Sequence, residues 1–347
     1  MAYTLDGPSS EDFGFTATIA NFALRALHES TGLVNFTTTV APNQGNEYLV
    51  PNFAPITYQD YEPNAYQGGN AAVYGNGFGT SPAAFEQNPA LAQRSITAAP
   101  AVAATAFDVF YAWTTSFQLA ATLGEELGES YGEKVDIRVC QAFTQFKATV
   151  GNQNYAVTPA DGFNRPLQLG AMELLPAGSN TTANSTAGFT STTVLELIRN
   201  VKQNYKVARL PGVPVIVLDS NGDDGVVGST QTRLLQELTG GAVNNNLSAL
   251  GNELLTTGAI ENVYGCRVVF TTFLSSASRT IDGVASTSCL VGSYFHDSAL
   301  ITVIKEGLQI KMGEKPGGLQ MWLTGLAYMG SGVADLRRGG AINIQQA

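Results

Sequence analysis

Residues Phe117 to Lys147, FQLAATLGEELGESYGEKVDIRVCQAFTQFK, constrain the fold more than any other stretch of this 347-residue chain. Leu127, Tyr131, Val135, Val139 and Phe143 recur at every fourth position, and Leu123 and Phe146 extend the stripe. That spacing predicts one long amphipathic helix, roughly 45 Å from end to end at ~1.5 Å per residue. A compact domain does not need so long an element. Two columns on it are costly. Gly124, Gly128 and Gly132 each lose roughly 1 kcal/mol relative to Ala in a helix interior. Glu125, Glu129 and Glu133 set like charges one turn apart, at about 0.2–0.5 kcal/mol per pair. A helix that gives up stability on two faces implies that something else packs on them.

Charged residues make up 13% of the chain, about half the usual share. Much of the surface must therefore be neutral Gly, Asn, Thr, Ser and Gln. This suits a protein covered by other subunits, and it also fits some secreted β-rich proteins. The net charge of −10 is unevenly spread: thirteen acids but only Arg25 and Arg94 precede Lys134, while sixteen basic residues nearly balance fifteen acids from there on. Self-complementarity between copies and drift in surface composition both account for the asymmetry. The three cysteines, Cys140, Cys266 and Cys289, lack metal-ligand spacing and read as buried thiols of a reducing compartment. The start, MAYTLDGPSSEDF, has no apolar core, and no apolar run approaches a membrane span. A soluble protein made in a cytosol is the expectation.

Taken in order, the chain opens on an arm to about Gly14. A helix follows with Phe15, Ile19, Phe22, Ala23, Ala26 and Leu27 on one face. From Pro42 to about Pro100, Gly, Asn, Pro, Gln and Tyr dominate, with tyrosines at 48, 58, 61, 66 and 74. So long a segment, rich in tyrosine and poor in charge, reads as an excursion ordered by neighbouring subunits. Glu47 to Val50 and Phe107 to Tyr111 are expected as its limbs. Thr193 and Glu196 form a capping box for a helix whose Val194, Leu197, Val201 and Tyr205 face inward. Its outer face carries Arg199, Lys202 and Lys206. A solvated face, or a dock for the acidic half, suits that stripe better than a nucleic-acid reader, because the protein is acidic overall and no aromatics interleave. Val213 to Leu218 reads as a buried strand. The following Asp219–Gly225 turn resembles a calcium loop only superficially, with Asp224 and Thr230 where glycine and a bidentate Glu belong. A hairpin through Tyr264-Gly265 follows, and Val291–Ile304, Leu308–Met312, Leu319–Met329 and Ala341–Ile344 read as strands.

Little here supports catalysis. There are two histidines, His28 and His296, and no nucleophile-elbow, phosphate-loop, dinucleotide, HExxH or CxxC motif. His296 and Asp297 are neighbours in an expected strand and should point to opposite faces. No catalytic residue, metal or cofactor is expected.

The order of the pieces resembles the major capsid protein of tailed double-stranded DNA bacteriophages with the Hong Kong 97-type fold, across nearly the whole chain. NEYLVPNF is similar to the family's entry into an extended loop, and LGEELGESYGEKVDIRVCQAF to its "spine" helix. LLTTGAIENVYGCRVVFTTFL is similar to the axial-lobe Gly-Ile-x-x-x-Gly-x-x-Val segment. HDSALITVIKEGLQIKM, with Gly332, Val333 and Arg337, is similar to the closing sheet. The resemblance implies an α+β fold with these parts: an N-terminal arm (1–14), a helix region (15–41), an extended loop (42–110) and a spine helix in a peripheral lobe (111–148). Next come the start of an axial lobe (149–170), a junction with a helix (171–210), the axial lobe (211–290) and closing strands (291–347). It implies self-assembly into hexamers and pentamers of an icosahedral head around double-stranded DNA held non-specifically. Portal and scaffolding or cement proteins are the implied partners, with no membrane, and the virion, assembled in the host cytoplasm, the location. The expected subunit contacts are Glu125, Glu129, Glu133, Arg199, Lys202, Lys206, Tyr58, Tyr61, Tyr66 and Tyr74. Some relatives cross-link through a loop-tip lysine; this chain has no lysine before Lys134. A tail tube or surface-layer lattice protein is the competing class.

Overall fold

The computed structural model describes residues 23, 32–53, 91–146, 172–174, 190–191, 193–207, 210–220, 233–234, 237, 262–281, 284–314 and 320–344. In chain order the strands are β1 (Thr38–Val40), β2 (Glu47–Phe53), β3 (Leu91–Thr97), β4 (Ala99–Asp108), β5 (Met172–Leu174), β6 (Thr190–Ser191) and β7 (Val215–Asp219). Then come β8 (Asn262–Val263), β9 (Cys266–Thr271), β10 (Ser276–Ile281), β11 (Val284–Phe295), β12 (Leu300–Glu314), β13 (Gln320–Val333) and β14 (Gly339–Ile344). The helices are α1 (Val109–Phe143) and α2 (Val194–Val207).

One sheet has the order β1-β12-β13-β4, and a larger one the order β6-β5-β14-β11-β7-β9-β8 with β10 hairpinned onto β11; β2 and β3 pair alone. The chain crosses between the two sheets at Asp297–Ala299, a 3-10 turn between β11 and β12, and again at Leu336–Arg338, between β13 and β14. The turns lie side by side: the Ala334 and Asp335 N–H groups both donate to the Ala299 carbonyl.

The α1 stripe fits the smaller sheet in length as well as chemistry. Its 35 residues span ~52 Å, and the 15 residues of β12 span about 50 Å. Directly opposed strand residues share a face. Leu323, Gly325, Ala327 and Met329 of β13 therefore point towards α1. Leu127 packs on Leu323, and Tyr131 and Val135 pack with Ala327 and Met329. Gly325 lets the helix seat closely, since a Cβ there would come within 3.3 Å of Leu127. Past Val135 the helix leaves this sheet for the larger one. Val139, Phe143 and Phe146 join the main core with Val291, Phe295 and Ala341, and the Phe143 and Phe295 ring centroids lie 5.8 Å apart. Each such phenyl contributes about 1.5–3 kcal/mol by leaving water. One helix thus holds both sheets.

Several expectations stand. Val194, Leu197, Val201 and Tyr205 are buried, and the Glu196 N–H donates to Thr193 Oγ1 at 3.2 Å. The hairpin turns at Tyr264 (φ 52) and Gly265 (φ 70), the two left-handed residues that a type I′ turn requires.

Others need correction. The long helix begins at Val109, not Phe117. Asp108 pairs with Gln320, the first residue of β13, so the ladder has no further partner and the chain turns helical. Val109 and Tyr111 are therefore not a strand limb; Leu91–Thr97 is the strand that returns against Glu47–Phe53. Thr144–Phe146 form turns after the helix, tightened by Phe146 N–H to Phe143 carbonyl at 3.1 Å. The buried strand starts at Val215, beyond Pro214, which offers no N–H to a ladder. Val291–Ile304 is broken by the turn at Asp297–Ala299, and Leu308–Met312 belongs to one long strand carrying register shifts between Ile304 and Gln309.

Candidate assembly surfaces

The glycine column of α1 is buried at Gly124, Gly128 and Gly132. At Gly128 the reason is visible: a Cβ would lie 2.2 Å from the carbonyl oxygen of Ala23 and 2.9 Å from its carbon. The backbone of Ala23 therefore lies directly against α1 at this turn, and glycine is the residue that leaves room for it. Further along the helix, Asp136 is buried and accepts from the N–H groups of Gly32 at 3.3 Å and Leu33 at 3.2 Å. It closes the start of the 3-10 helix Leu33–Phe36. Burial pushes its carboxyl above the ordinary range, against the pull of the Gly32, Leu33 and Val34 N–H groups. The glycine column and Asp136 are thus used within the subunit.

The glutamate column is not. Glu125, Glu129 and Glu133 are exposed, and no ion pair among the described residues involves them. On α2, Arg199 and Lys206 are exposed, while Lys202 is half-buried and donates to the Gly265 carbonyl at 3.1 Å, tying α2 to the β8–β9 turn. Arg267 of β9 is exposed and lies over the Phe36 ring at 5.3 Å. The structure thus keeps Arg199 and Lys206 available and commits Lys202 to a structural bond. Tyr58, Tyr61, Tyr66 and Tyr74 lie outside the described residues, as do His28 and residues 221–232 of the calcium-like turn.

Two contacts escaped the sequence reading. Glu237 accepts from the Val194 and Leu195 N–H groups at 3.0 and 2.9 Å, capping α2 from 43 residues away. Arg279 of β10 donates to the Thr144 and Phe146 carbonyls at 2.7 and 3.2 Å, closing the end of α1. No local pattern reports either, because both partners are distant in sequence.

Among the described residues, the arrangement around His296 has catalytic residue types but is inert on geometry. His296 lies not in a strand but at the N-cap of the Asp297–Ala299 turn. Ser298 Oγ (2.8 Å) and Asp297 Oδ1 (2.5 Å) both approach the same ring nitrogen, Nδ1. A relay needs the nucleophile and the orienting carboxylate on opposite nitrogens. Ser298 Oγ is also held by Arg338 Nη1 at 2.7 Å. Among the described residues no cluster of His, Cys, Asp and Glu could hold a metal ion, and no helix is long and apolar enough to cross a membrane.

The three cysteines are free and buried. Burial pushes the Cys140 thiol up to about 12 and Cys266 to about 11, from 9.0, and raises Cys289 as well. A thiol so raised stays protonated and unreactive at neutral pH. We expect a thiol reagent at pH 8 to label native protein at least about tenfold more slowly than denatured protein; rapid labelling of the native chain would contradict these burials. The raised values also favour the folded state fully below pH 9, and that contribution fades as pH rises towards 11 and 12.

No family model matches the sequence, and no curated protein matches it. Solved structures do. The capsid of the cyanophage P-SCSP1u aligns with a TM-score of 0.59 at 14% identity, covering 91% of this chain and 89% of that one. The capsid of Ralstonia phage GP4 aligns at 0.54 and 12% identity, covering 91% and 89%. A structure of Mycobacterium phage Che8 aligns at 0.53 and 13% identity, covering 90% of each chain. This chain has the fold of a phage capsid subunit. It is an α+β capsid fold, and about nine-tenths of the chain takes part in each match. At such low identities the fold is what is shared.

Proposed function

We propose that this chain is the major capsid protein of a tailed bacteriophage with the Hong Kong 97-type architecture. It assembles into hexamers and pentamers of an icosahedral head that encloses double-stranded DNA. The observation that carries this reading is the two-way coverage of capsid chains, about nine-tenths in each direction. In this reading α1 is the spine helix and, with the four-stranded sheet, forms the peripheral lobe. The larger sheet forms the axial lobe, and the β2–β3 hairpin is the root of the extended loop. Portal, scaffolding or cement proteins are the further partners, DNA is held non-specifically, and the virion, assembled in host cytoplasm, is the location. Shell stability comes from modest contacts repeated many times. Expression followed by negative-stain microscopy tests the reading: closed shells support it, whereas tubes, flat lattices or persistent monomers overturn it.

The exposed glutamate column and the exposed Arg199 and Lys206 are the proposed subunit contacts, with the loop tyrosines Tyr58, Tyr61, Tyr66 and Tyr74. An acidic column with no ion pair among the described residues is suited to a neighbour's cations. Glu129→Gln is expected to raise the concentration needed for assembly by up to about fivefold, the worth of one exposed pair, and to flatten its salt dependence. Assembly and salt response equal to wild type would remove the column from the interface.

A further inference from the structure

The strands that end the two main sheets differ in one respect. Among the described residues β1, β6 and β8 have three, two and two residues and β10, which pairs only with β11, has six, whereas β4 has ten. Long free edges are normally blunted by charge, proline, bulges or shortness. β4, Ala-Pro-Ala-Val-Ala-Ala-Thr-Ala-Phe-Asp, has its proline at the second position and its one charge at the last, and its pairing with β13 runs without a register shift. Ala104, Thr105 and Ala106 are all exposed, and no strand among the described residues pairs with this edge.

The face beside that edge is apolar. Opposite residues share a face, so Val102, Ala104 and Ala106 lie with Leu326, Thr324 and Trp322 on the side away from α1. Val102 is 64% and Trp322 49% exposed, among the largest apolar exposures on the described surface.

We propose that β4 pairs with β4 of a second copy, antiparallel about a two-fold axis at Ala104, joining two four-stranded sheets into one. The proposal rests on the capsid reading. It names the second copy because the strand is self-complementary. Centring the axis on Ala104 keeps each face with its own kind. Val102 of one copy falls opposite Ala106 of the other, and Ala106 already lies opposite Trp322. The row Trp322–Ala106–Val102–Leu326 then runs unbroken across the axis, covering the exposed apolar side chains of both copies. Alanine at the centre brings no bulk or charge to the contact, and a two-fold axis makes each such contact count twice.

The test is a cross-link at the axis. Opposite Cα atoms in an antiparallel pair lie about 4.5–5.5 Å apart, within the range a disulfide spans, and the native thiols are buried. Ala104→Cys shells, gently oxidised and run on a non-reducing gel, should give a reducible dimer band that dilute unassembled subunits lack. Thr105→Cys, displaced from the axis, should give little. Ala104→Lys, at an exposed position outside the core, should keep the fold but lose closed shells. Wild-type chain that forms no shells overturns the capsid reading and this pairing with it. Normal shells from Ala104→Lys, absence of the Ala104→Cys dimer in intact shells, or a cross-link only to a different protein overturns the pairing alone.

Discussion

Deleting residues 56–90, with Asn-Gly in place of Ala54-Pro55, leaves a folded subunit that forms no closed shells. The geometry makes the deletion clean, because Phe53 at the end of β2 pairs directly with Leu91 at the start of β3. A two-residue link can close that hairpin, and Asn-Gly supplies the left-handed turn it needs. Closing a shorter loop costs about 0.6 kcal/mol less for each halving of its length, so the shortened subunit should unfold at the same temperature as the full chain or above it. Its stability decouples from assembly because the main core lies elsewhere: among the described residues, β2 and β3 contribute Tyr48, Val50 and Ile96 to a small cluster with Ile301 and Val303. Circular dichroism and thermal melting report the fold, and negative-stain microscopy reports the shells. Shells of normal size from the deleted chain would show that the segment is not needed for contacts between subunits; a deleted chain that melts many degrees lower would show that it belongs to the fold.

What the sequence made legible follows from the range of each interaction. The α1 stripe, the Thr193 cap and the Tyr264-Gly265 turn are encoded within a few residues, and the structure has all three. The start of α1 at Val109 was not legible, because it depends on where β13 begins, far later in the chain. Nor was the return strand Leu91–Thr97. Ala, Gln, Arg and Ser give it no apolar alternation, and its strand character comes from pairing with Glu47–Phe53. Among the candidate contacts, the costly glutamate column lies on an exposed face, while Lys202 looked like its surface neighbours until the Gly265 carbonyl showed otherwise. The capsid fold was legible from the order of the elements, not from any single motif.

The glycine column gives the sharpest energetic test. Gly128→Ala should destabilise the full-length subunit, because the new methyl would lie 2.2 Å from the Ala23 carbonyl oxygen and 3.0 Å from its Cα. Backbone cannot swing aside as a side-chain tip can, and overpacking of this kind costs about 1–3 kcal/mol. Helix propensity works the other way, favouring Ala over Gly by roughly 1 kcal/mol in a helix interior. The clash wins while Ala23 lies against α1. In a chain lacking residues 1–24 the obstacle is gone and only propensity remains. There the same substitution should stabilise by up to about 1 kcal/mol. Denaturant unfolding of the full-length and truncated chains, each with and without Gly128→Ala, measures both signs. A destabilisation that persists after truncation would mean that something other than Ala23 fills the groove at Gly128, and equal stability in the full-length pair would mean that Ala23 does not seat on the helix at all.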